Sequence, residues 1–234
     1  MCGIVGGVAE RNVVPILLEG LRRLEYRGYD SSGIAVLNRS NELQRVRAIG
    51  KIKNLEAKIQ QDETVIAGPI GIAHTRWATH GVPSENNAHP HICNNKVAVV
   101  HNGIIENYQA LKTDQQTAGY RFTSETDTEV IAHALHQQLE NTDDLFKAVS
   151  LAIKHFEGAY ALGVVEEVED LLVISVDPMF PLSIVDTALA KLSDEFPHTQ
   201  VNLVKHTGKD SRDALQAGDT TISINIPLQA VPES

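Results

Sequence analysis

The segment MCGIVGGVA (1–9) places a cysteine directly before an apolar, glycine-rich run of β-branched residues. This pattern predicts a strand from Gly3 to Ala9. Removal of Met1 would give Cys2 both a thiol and a free α-amine, whose ordinary pKa values are about 8.5 and 7.7–8.0. Because the amine could then act as the base for its own thiol, Cys2 is a candidate N-terminal nucleophile. The alternative, an incidental small side chain on a strand, stays open.

The composition narrows the class of protein. The chain has 234 residues, of which 42% are hydrophobic, and a formal net charge of −10. This charge argues against a nucleic-acid partner, which would need a basic face, and against docking on an anionic membrane. The sequence shows no long apolar run and no signal peptide, and only two cysteines, Cys2 and Cys93. We therefore expect a cytoplasmic protein without a disulfide framework.

The order of predicted elements indicates an α+β fold. Over residues 1–176, pairs of strands alternate with helices, and neighbouring strands lack the helical crossover that parallel pairing requires. We therefore expect antiparallel sheets with helices outside them, a layered αββα domain over residues 1–170. Residues 171–234 form a predicted βαβαβ appendage of uncertain role, with helices at 181–196 and 210–217.

Two residues after a buried strand could stabilise a developing negative charge. The segment VAVV (97–100) predicts a buried strand, and Asn102 and Gly103 follow it. An asparagine amide and a glycine backbone N–H are both suitable donors to an oxyanion. An ordinary Asn-Gly turn is the alternative.

Two oppositely charged residues could bind the two ends of an amino acid. Arg76, beside Trp77 at the end of a predicted strand, could hold a carboxylate through two parallel hydrogen bonds. Asp127 could receive an ammonium group from the first turn of a helix, for which Thr126 and Glu129 form a predicted capping box. A surface ion pair for Arg76 and a helix-dipole role for Asp127 are the alternatives.

Histidines near the only tryptophan raise the question of a metal. His80, His89 and His91 lie in a polar loop predicted for residues 75–95. No second group of cysteine or acidic ligands stands at a fitting spacing, so we expect no metal site. The sequence also lacks a phosphate-binding glycine motif, and Cys93 is expected to be passive.

Five segments together resemble one known family. They are MCGIVGG (1–7), RRLEYRGYDSSG (22–33), GIAHTRWATHGVPSENNAHPH (71–91), VVHNGIIENY (99–108) and SETDTEVIAH (124–133). Over about residues 1–165 the chain resembles the glutaminase domain of glutamine–fructose-6-phosphate aminotransferase (isomerizing). That domain is a class II glutamine amidotransferase with the N-terminal-nucleophile αββα fold.

The resemblance implies hydrolysis of L-glutamine to glutamate and ammonia through a thioester on Cys2, without a metal or organic cofactor. Asn102 and Gly103 would form the oxyanion hole, while Arg76 and Asp127 would bind the α-carboxylate and the α-amine. The other implied positions surround this pocket or lead to the ammonia path: Arg27, Gly28, Trp77, Thr79, His80 and His89. The implied partner is an ammonia-accepting synthase domain, and a homodimer is one possible assembly.

The chain departs from the family pattern in its last part. From about Leu172 it resembles the start of an effector-binding domain of a LysR-type regulator. The sugar isomerase domains are expected to be missing, and the sequence leaves open whether the second sheet of the sandwich is complete. A non-catalytic effector-binding fragment and a truncated fusion product therefore remain as alternatives to an enzyme.

Overall fold

Two antiparallel sheets form the centre of the protein. The structure, a computed structural model, describes residues 2–61, 66–77, 81–167, 171–176, 202–207 and 220–227. The strands are β1 Gly3–Val8, β2 Ser31–Leu37, β3 Leu43–Ile49, β4 Ile70–Arg76, β5 His91–Cys93, β6 Val97–Gly103, β7 Tyr160–Glu166, β8 Leu171–Val176, β9 Asn202–Thr207 and β10 Thr220–Pro227. One sheet has the order β1-β4-β2-β3 and the other has the order β5-β6-β7-β8-β10-β9.

Helices cover the outer face of each sheet. They are α1 Val14–Leu24, α2 Ile52–Gln61, α3 Tyr108–Thr117, α4 Thr128–Leu139 and α5 Leu145–Ala152. Helices α1 and α2 share a hydrophobic core with the first sheet, while α4 and α5 share another with the second sheet. The predicted αββα sandwich is therefore confirmed.

The alternation of side chains along the central strands explains this layering. On β2, Ile34 and Val36 face the helices, while Ala35 packs toward the other sheet. On β6, Val99 faces the helices and Val100 packs between the sheets. Because successive side chains point to opposite faces, strands that are apolar at every position can be buried on both sides.

The end of the chain extends the second sheet. Strand β8 pairs antiparallel with β7, and β10 lies between β8 and β9. The predicted boundary at residue 170 thus falls between two paired strands, and the division into 1–170 and 171–234 stays a prediction. The helices predicted at 181–196 and 210–217 lie outside the described residues.

The start of α4 differs from the predicted capping box. The residue before the helix is Asp127, and no side chain caps its first turn. The Glu129 carboxylate instead accepts hydrogen bonds from the backbone N–H groups of Thr123 and Ser124. The capping-box prediction was wrong because Glu129 reaches beyond Thr126, to the segment that leads into the helix.

Candidate active site

The nucleophile candidate lies at the edge of the first sheet. Cys2 precedes β1, and the next residue, Gly3, is paired with Thr75 on β4. This register brings the end of β4 to Cys2, and the backbone N–H of Trp77 donates to the Cys2 Sγ at 3.3 Å. A β-carbon at Gly3 would come within 2.9 Å of the Leu24 side chain, so glycine is needed for the close packing here.

A turn before β2 closes against the same strand end. A β-carbon at Gly28 would lie 2.9 Å from the Arg76 carbonyl carbon, so this close approach also requires glycine. The Asp30 N–H donates to the Arg76 carbonyl at 3.1 Å, and the Tyr29 ring meets Trp77 edge-on at 5.4 Å. Arg27 directly precedes this turn, and its side chain lies outside the described part of the structure.

Asn102 connects the second sheet to the nucleophile. Its Nδ2 donates to the Cys2 carbonyl oxygen at 3.3 Å, and its Oδ1 lies 2.9 Å from the His74 Nε2. Gly103 follows with a φ of +127°, and a β-carbon there would collide with the Ala159 carbonyl. Both the φ value and the space therefore demand glycine at this position.

Side-chain alternation explains why polar groups meet at this place. On β4, Ile70 and Ile72 pack between the sheets, and His74 and Arg76 continue the same face toward the strand end. On β6, Ala98 and Val100 occupy the facing layer, and Asn102 is next on that face. The layer between the sheets thus changes from apolar to polar at one end of the sandwich.

A cavity at this end contains two buried, oppositely charged side chains. Arg76 is 3% exposed and Asp127 is 6% exposed. Burial lowers the pKa of Arg76, while the nearby Cys2, Asp30 and Asp127 act in the opposite direction. The Asp127 Oδ2 accepts the Ile105 N–H at 2.9 Å. The cavity is lined by Cys2, Arg76, Trp77, His89, His101, Gly103, Thr126, Asp127 and Thr128.

Two of the lining residues, His89 and His101, belong to a cluster of four buried histidines with His74 and His91. Burial lowers the pKa of His74 to about 3 and that of His101 to about 4, and it lowers the pKa of His89 and His91 well below the usual range. The His74 and His89 ring centroids are 4.1 Å apart. The Thr128 hydroxyl lies 2.7 Å from the His89 Nε2 and 3.0 Å from the His101 Nδ1. These imidazoles are therefore neutral near pH 7.

The histidines of the loop bind threonines. His89 contacts Thr128, and the His91 Nε2 lies 3.1 Å from the Thr126 hydroxyl. Among the described residues, no group of three or more histidine, cysteine or acidic side chains is arranged to hold a metal ion. His80 and Thr79 lie outside the described residues.

The structure brings most of the predicted site residues together around one cavity. Cys2, Arg76, Trp77, His89, Gly103 and Asp127 line it, while Asn102 and Gly28 contact the nucleophile and the adjoining strand end. The sequence interpretation missed His74, His101 and Thr128. Polar residues within otherwise apolar buried strands, as in GIAHTR (71–76) and VVHNG (99–103), were the available signal for the two histidines.

The cysteine outside this site is inaccessible. Cys93 is buried, and its Sγ lies 3.1 Å from the His133 Nδ1. Burial raises the pKa of this thiol to about 12. Since the thiolate is the reactive form, Cys93 is unreactive near pH 7.

Comparisons with known proteins find similarity to glutamine amidotransferases. The sequence profile of the glutamine amidotransferase domain matches residues 74–191. A glutamine–fructose-6-phosphate aminotransferase (isomerizing) from Pseudomonas putida is 58% identical over 165 residues, which are 70% of this chain and 27% of the relative. The Pseudomonas syringae protein of that name is 46% identical over 222 residues, 90% of this chain and 36% of the relative. The chain thus spans about a quarter to a third of the length of these relatives.

Solved structures support the fold. The glutamine phosphoribosylpyrophosphate amidotransferase of B. subtilis superimposes with a TM-score of 0.64 at 21% identity, covering 96% of this chain and 41% of that one. An allosteric regulatory enzyme of purine biosynthesis gives 0.63 at 22% identity, covering 98% of this chain and 45% of that one. Within the part of the chain that the structure describes, no helix has the length and apolarity to cross a bilayer.

Three observations agree on the class of protein: the αββα layers, the cavity beside Cys2 and the match to the glutamine amidotransferase domain. The profile covers half of the chain, and the Pseudomonas putida relative matches 165 of its residues at 58% identity. The resemblance of the tail to a regulator domain stays a prediction. The chain has the N-terminal-nucleophile αββα fold, and it belongs to the glutamine amidotransferase domain family.

Proposed function

We propose that the chain hydrolyses L-glutamine to L-glutamate and ammonia with Cys2 as the nucleophile. The observation that carries this proposal is that buried Arg76 and buried Asp127 both line the cavity that Cys2 lines. A free amino acid presents a carboxylate and an ammonium group on one carbon. A planar guanidinium suits the carboxylate, and the Asp127 carboxylate suits the ammonium.

The first half of the reaction forms a thioester. After Met1 is removed, the Cys2 α-amine takes the thiol proton and the sulfur attacks the side-chain amide carbon of glutamine. The negative oxygen that develops accepts hydrogen bonds from the Asn102 Nδ2 and the Gly103 N–H. The carbon–nitrogen bond then breaks, and the leaving nitrogen takes the proton from the Cys2 ammonium and departs as ammonia.

The second half releases glutamate. A water molecule attacks the thioester carbon while the Cys2 amine accepts its proton, and the same oxyanion donors serve again. When the carbon–sulfur bond breaks, the sulfur regains a proton and the free enzyme returns. The Trp77 N–H bond to Sγ holds the sulfur in place before attack, and Gly28 allows close packing of the preceding turn against that strand end. By the family resemblance we also assign Arg27, Thr79, His80 and His89 to the walls of the glutamine pocket.

The ammonia needs an acceptor. We propose that a synthase domain receives it, as expected for the glutaminase part of an aminotransferase of amino-sugar synthesis. The relatives named for that reaction are about three times as long as this chain, which leaves room for such a domain. We place the protein in the cytoplasm, where a homodimer is one assembly to test by light scattering.

Intact mass combined with an electrophilic glutamine analogue tests the proposal. We expect loss of Met1, one adduct on Cys2 and protection by glutamine. Cys2→Ala should abolish both labelling and glutamate release. Cys93→Ala is the matched control, because its thiol is buried and unreactive, and it should keep glutamate release within about twofold. Full activity in Cys2→Ala, or labelling at Cys93, would refute the mechanism and favour a non-catalytic fragment.

A further inference from the structure

His74 lies between the nucleophile and the oxyanion donor, and the mechanism above gives it no role. It is fully buried on β4, the strand that pairs with β1 next to Cys2. Its Nε2 lies 3.0 Å from the His101 carbonyl oxygen and 2.9 Å from the Asn102 Oδ1. Both contacts cross from the first sheet to the second.

These two contacts determine which ring nitrogen of His74 carries the proton. The His101 carbonyl can only accept, so the Nε2 must be protonated to bond with it. Burial lowers the pKa of His74 to about 3, so the ring is neutral and its Nδ1 carries no proton. That nitrogen has no hydrogen-bond partner among the described residues, which agrees with this tautomer.

The tautomer in turn determines the orientation of the Asn102 amide. A protonated Nε2 faces an oxygen without conflict, whereas a flipped amide would place two donors against each other. With Oδ1 toward His74, the Nδ2 faces Cys2 and donates to its carbonyl at 3.3 Å. The contacts thus form a chain of hydrogen bonds: the His101 carbonyl determines the tautomer of His74, and this tautomer determines the orientation of the Asn102 amide.

We propose that His74 is a positioning residue for the glutaminase reaction proposed above, on which this role rests: its Nε2–H holds the Asn102 amide with Nδ2 directed toward the nucleophile. His74 does not contact the substrate in this role. It acts through Asn102, and its loss would leave the amide free to rotate. Because oxyanion donors act in the transition state, the loss falls on kcat rather than on KM for glutamine.

Steady-state kinetics of glutamate release test this role with four variants. Removal of one oxyanion donor in Asn102→Ala should lower kcat about 10²- to 10³-fold. His74→Leu should lower kcat about ten- to hundredfold with KM nearly unchanged, since the donor remains but is no longer held. The double variant should be no slower than Asn102→Ala alone. His74→Gln, whose Nε2 can donate from about the same place, should recover most of the lost kcat.

A matched control separates positioning from packing. His133 is also buried, but it contacts Cys93 in the helix layer. His133→Leu should therefore lower the unfolding midpoint without a comparable fall in kcat. The role of His74 would be overturned if the two single-variant losses of kcat multiply in the double variant, or if kcat is unchanged in His74→Leu. Absence of glutamate release from the unmodified protein would instead refute the glutaminase function itself.

An NMR measurement decides the tautomer even if His74→Leu fails to fold. In protein labelled with ¹⁵N at histidine, the ring-nitrogen shifts and their couplings to ring protons distinguish the tautomers. We expect a protonated Nε2 and a bare Nδ1 for His74 at pH 7.5. A protonated Nδ1 would overturn the proposal, because the bare Nε2 would then accept from the Asn102 amide nitrogen and favour the flipped orientation.

Discussion

Charged side chains are rarely buried unless another group compensates them. Arg76 and Asp127 are both almost fully covered, and burial lowers the pKa of Arg76. Asp127 has one oxygen on the Ile105 N–H. Because both side chains line the cavity beside Cys2, this cavity suits a ligand that carries a carboxylate and an ammonium group.

Arg76 should therefore determine the affinity for glutamine. Arg76→Ala and Arg76→Lys should each raise KM about ten- to hundredfold, because an ammonium cannot reproduce the planar fork of a guanidinium. Steady-state kinetics of glutamate release measure this. Arg23→Lys, at an exposed pair with Glu19, is the control and should leave KM unchanged. A wild-type KM in both Arg76 variants would remove Arg76 from the glutamine site.

At the scale of elements, the segment before α4 is held by one carboxylate. Glu129 is 5% exposed and accepts hydrogen bonds from the backbone N–H and the hydroxyl of both Thr123 and Ser124. The Ser124 hydroxyl also contacts that of Thr126, which neighbours Asp127. Glu129 thus stabilises the segment that carries the proposed amine-binding group.

Replacing Glu129 should weaken both the fold and glutamine binding. Glu129→Ala leaves the buried Ser124 N–H without its acceptor, which costs about 1–3 kcal/mol, and also removes the acceptor of the partly buried Thr123 N–H. We expect a lower urea midpoint and a rise in KM that exceeds any fall in kcat. Glu140→Ala changes an exposed glutamate just after the same helix, so it should alter neither quantity. Unchanged stability and KM in Glu129→Ala would contradict this account.

The elements could be predicted from the sequence to different degrees. Apolar strands such as β6 were evident because every position is hydrophobic up to Val100. Helix α3 was not predicted, since YQALKTDQQT (108–117) is mostly polar and its only buried residue is Gln115. The Thr75–Asn95 region was predicted as a loop, but β4 continues to Arg76 and β5 occupies His91–Cys93.

The residues with clear chemistry at the candidate site were easier to predict than the residues that position them. Single residues with clear chemistry, such as Cys2 and Arg76, could be selected one by one. The contacts of His74 and Thr128 join positions about 27 to 39 residues apart, on strands and helices whose register no local pattern reveals. Three-dimensional pairing was needed to show them.

At the scale of the whole molecule, the buried histidines should make the fold sensitive to acid. Their pKa values are lowered in the folded state, to about 3 for His74 and about 4 for His101, against 6.5 for the unfolded chain. The unfolded chain therefore binds more protons below pH 6.5, and stability falls as the pH decreases. Above pH 6.5 this contribution is constant.

Urea unfolding at several pH values tests this expectation. Below pH 6.5, each such histidine should lower the free energy of unfolding by up to about 1.4 kcal/mol per pH unit. His91→Gln should reduce the slope, because it removes a titrating ring near Arg45, Arg47 and Arg76 and keeps a donor for Thr126. The control His155→Gln, at an exposed position, should leave this slope unchanged. Equal stability at pH 7 and pH 5 would contradict the prediction.

The two halves of the proposed chemistry belong to different sheets, Cys2 beside β1 and Asn102 on β6. The distance between the Cys2 sulfur and the Asn102 amide therefore depends on the spacing of the two sheets. Small residues such as Ala35 and Ala98 act as spacers in the layer between them. A bulkier spacer would separate sulfur from amide without touching either. Substitutions at these interior positions would thus change the proposed activity although every residue that lines the pocket stays the same.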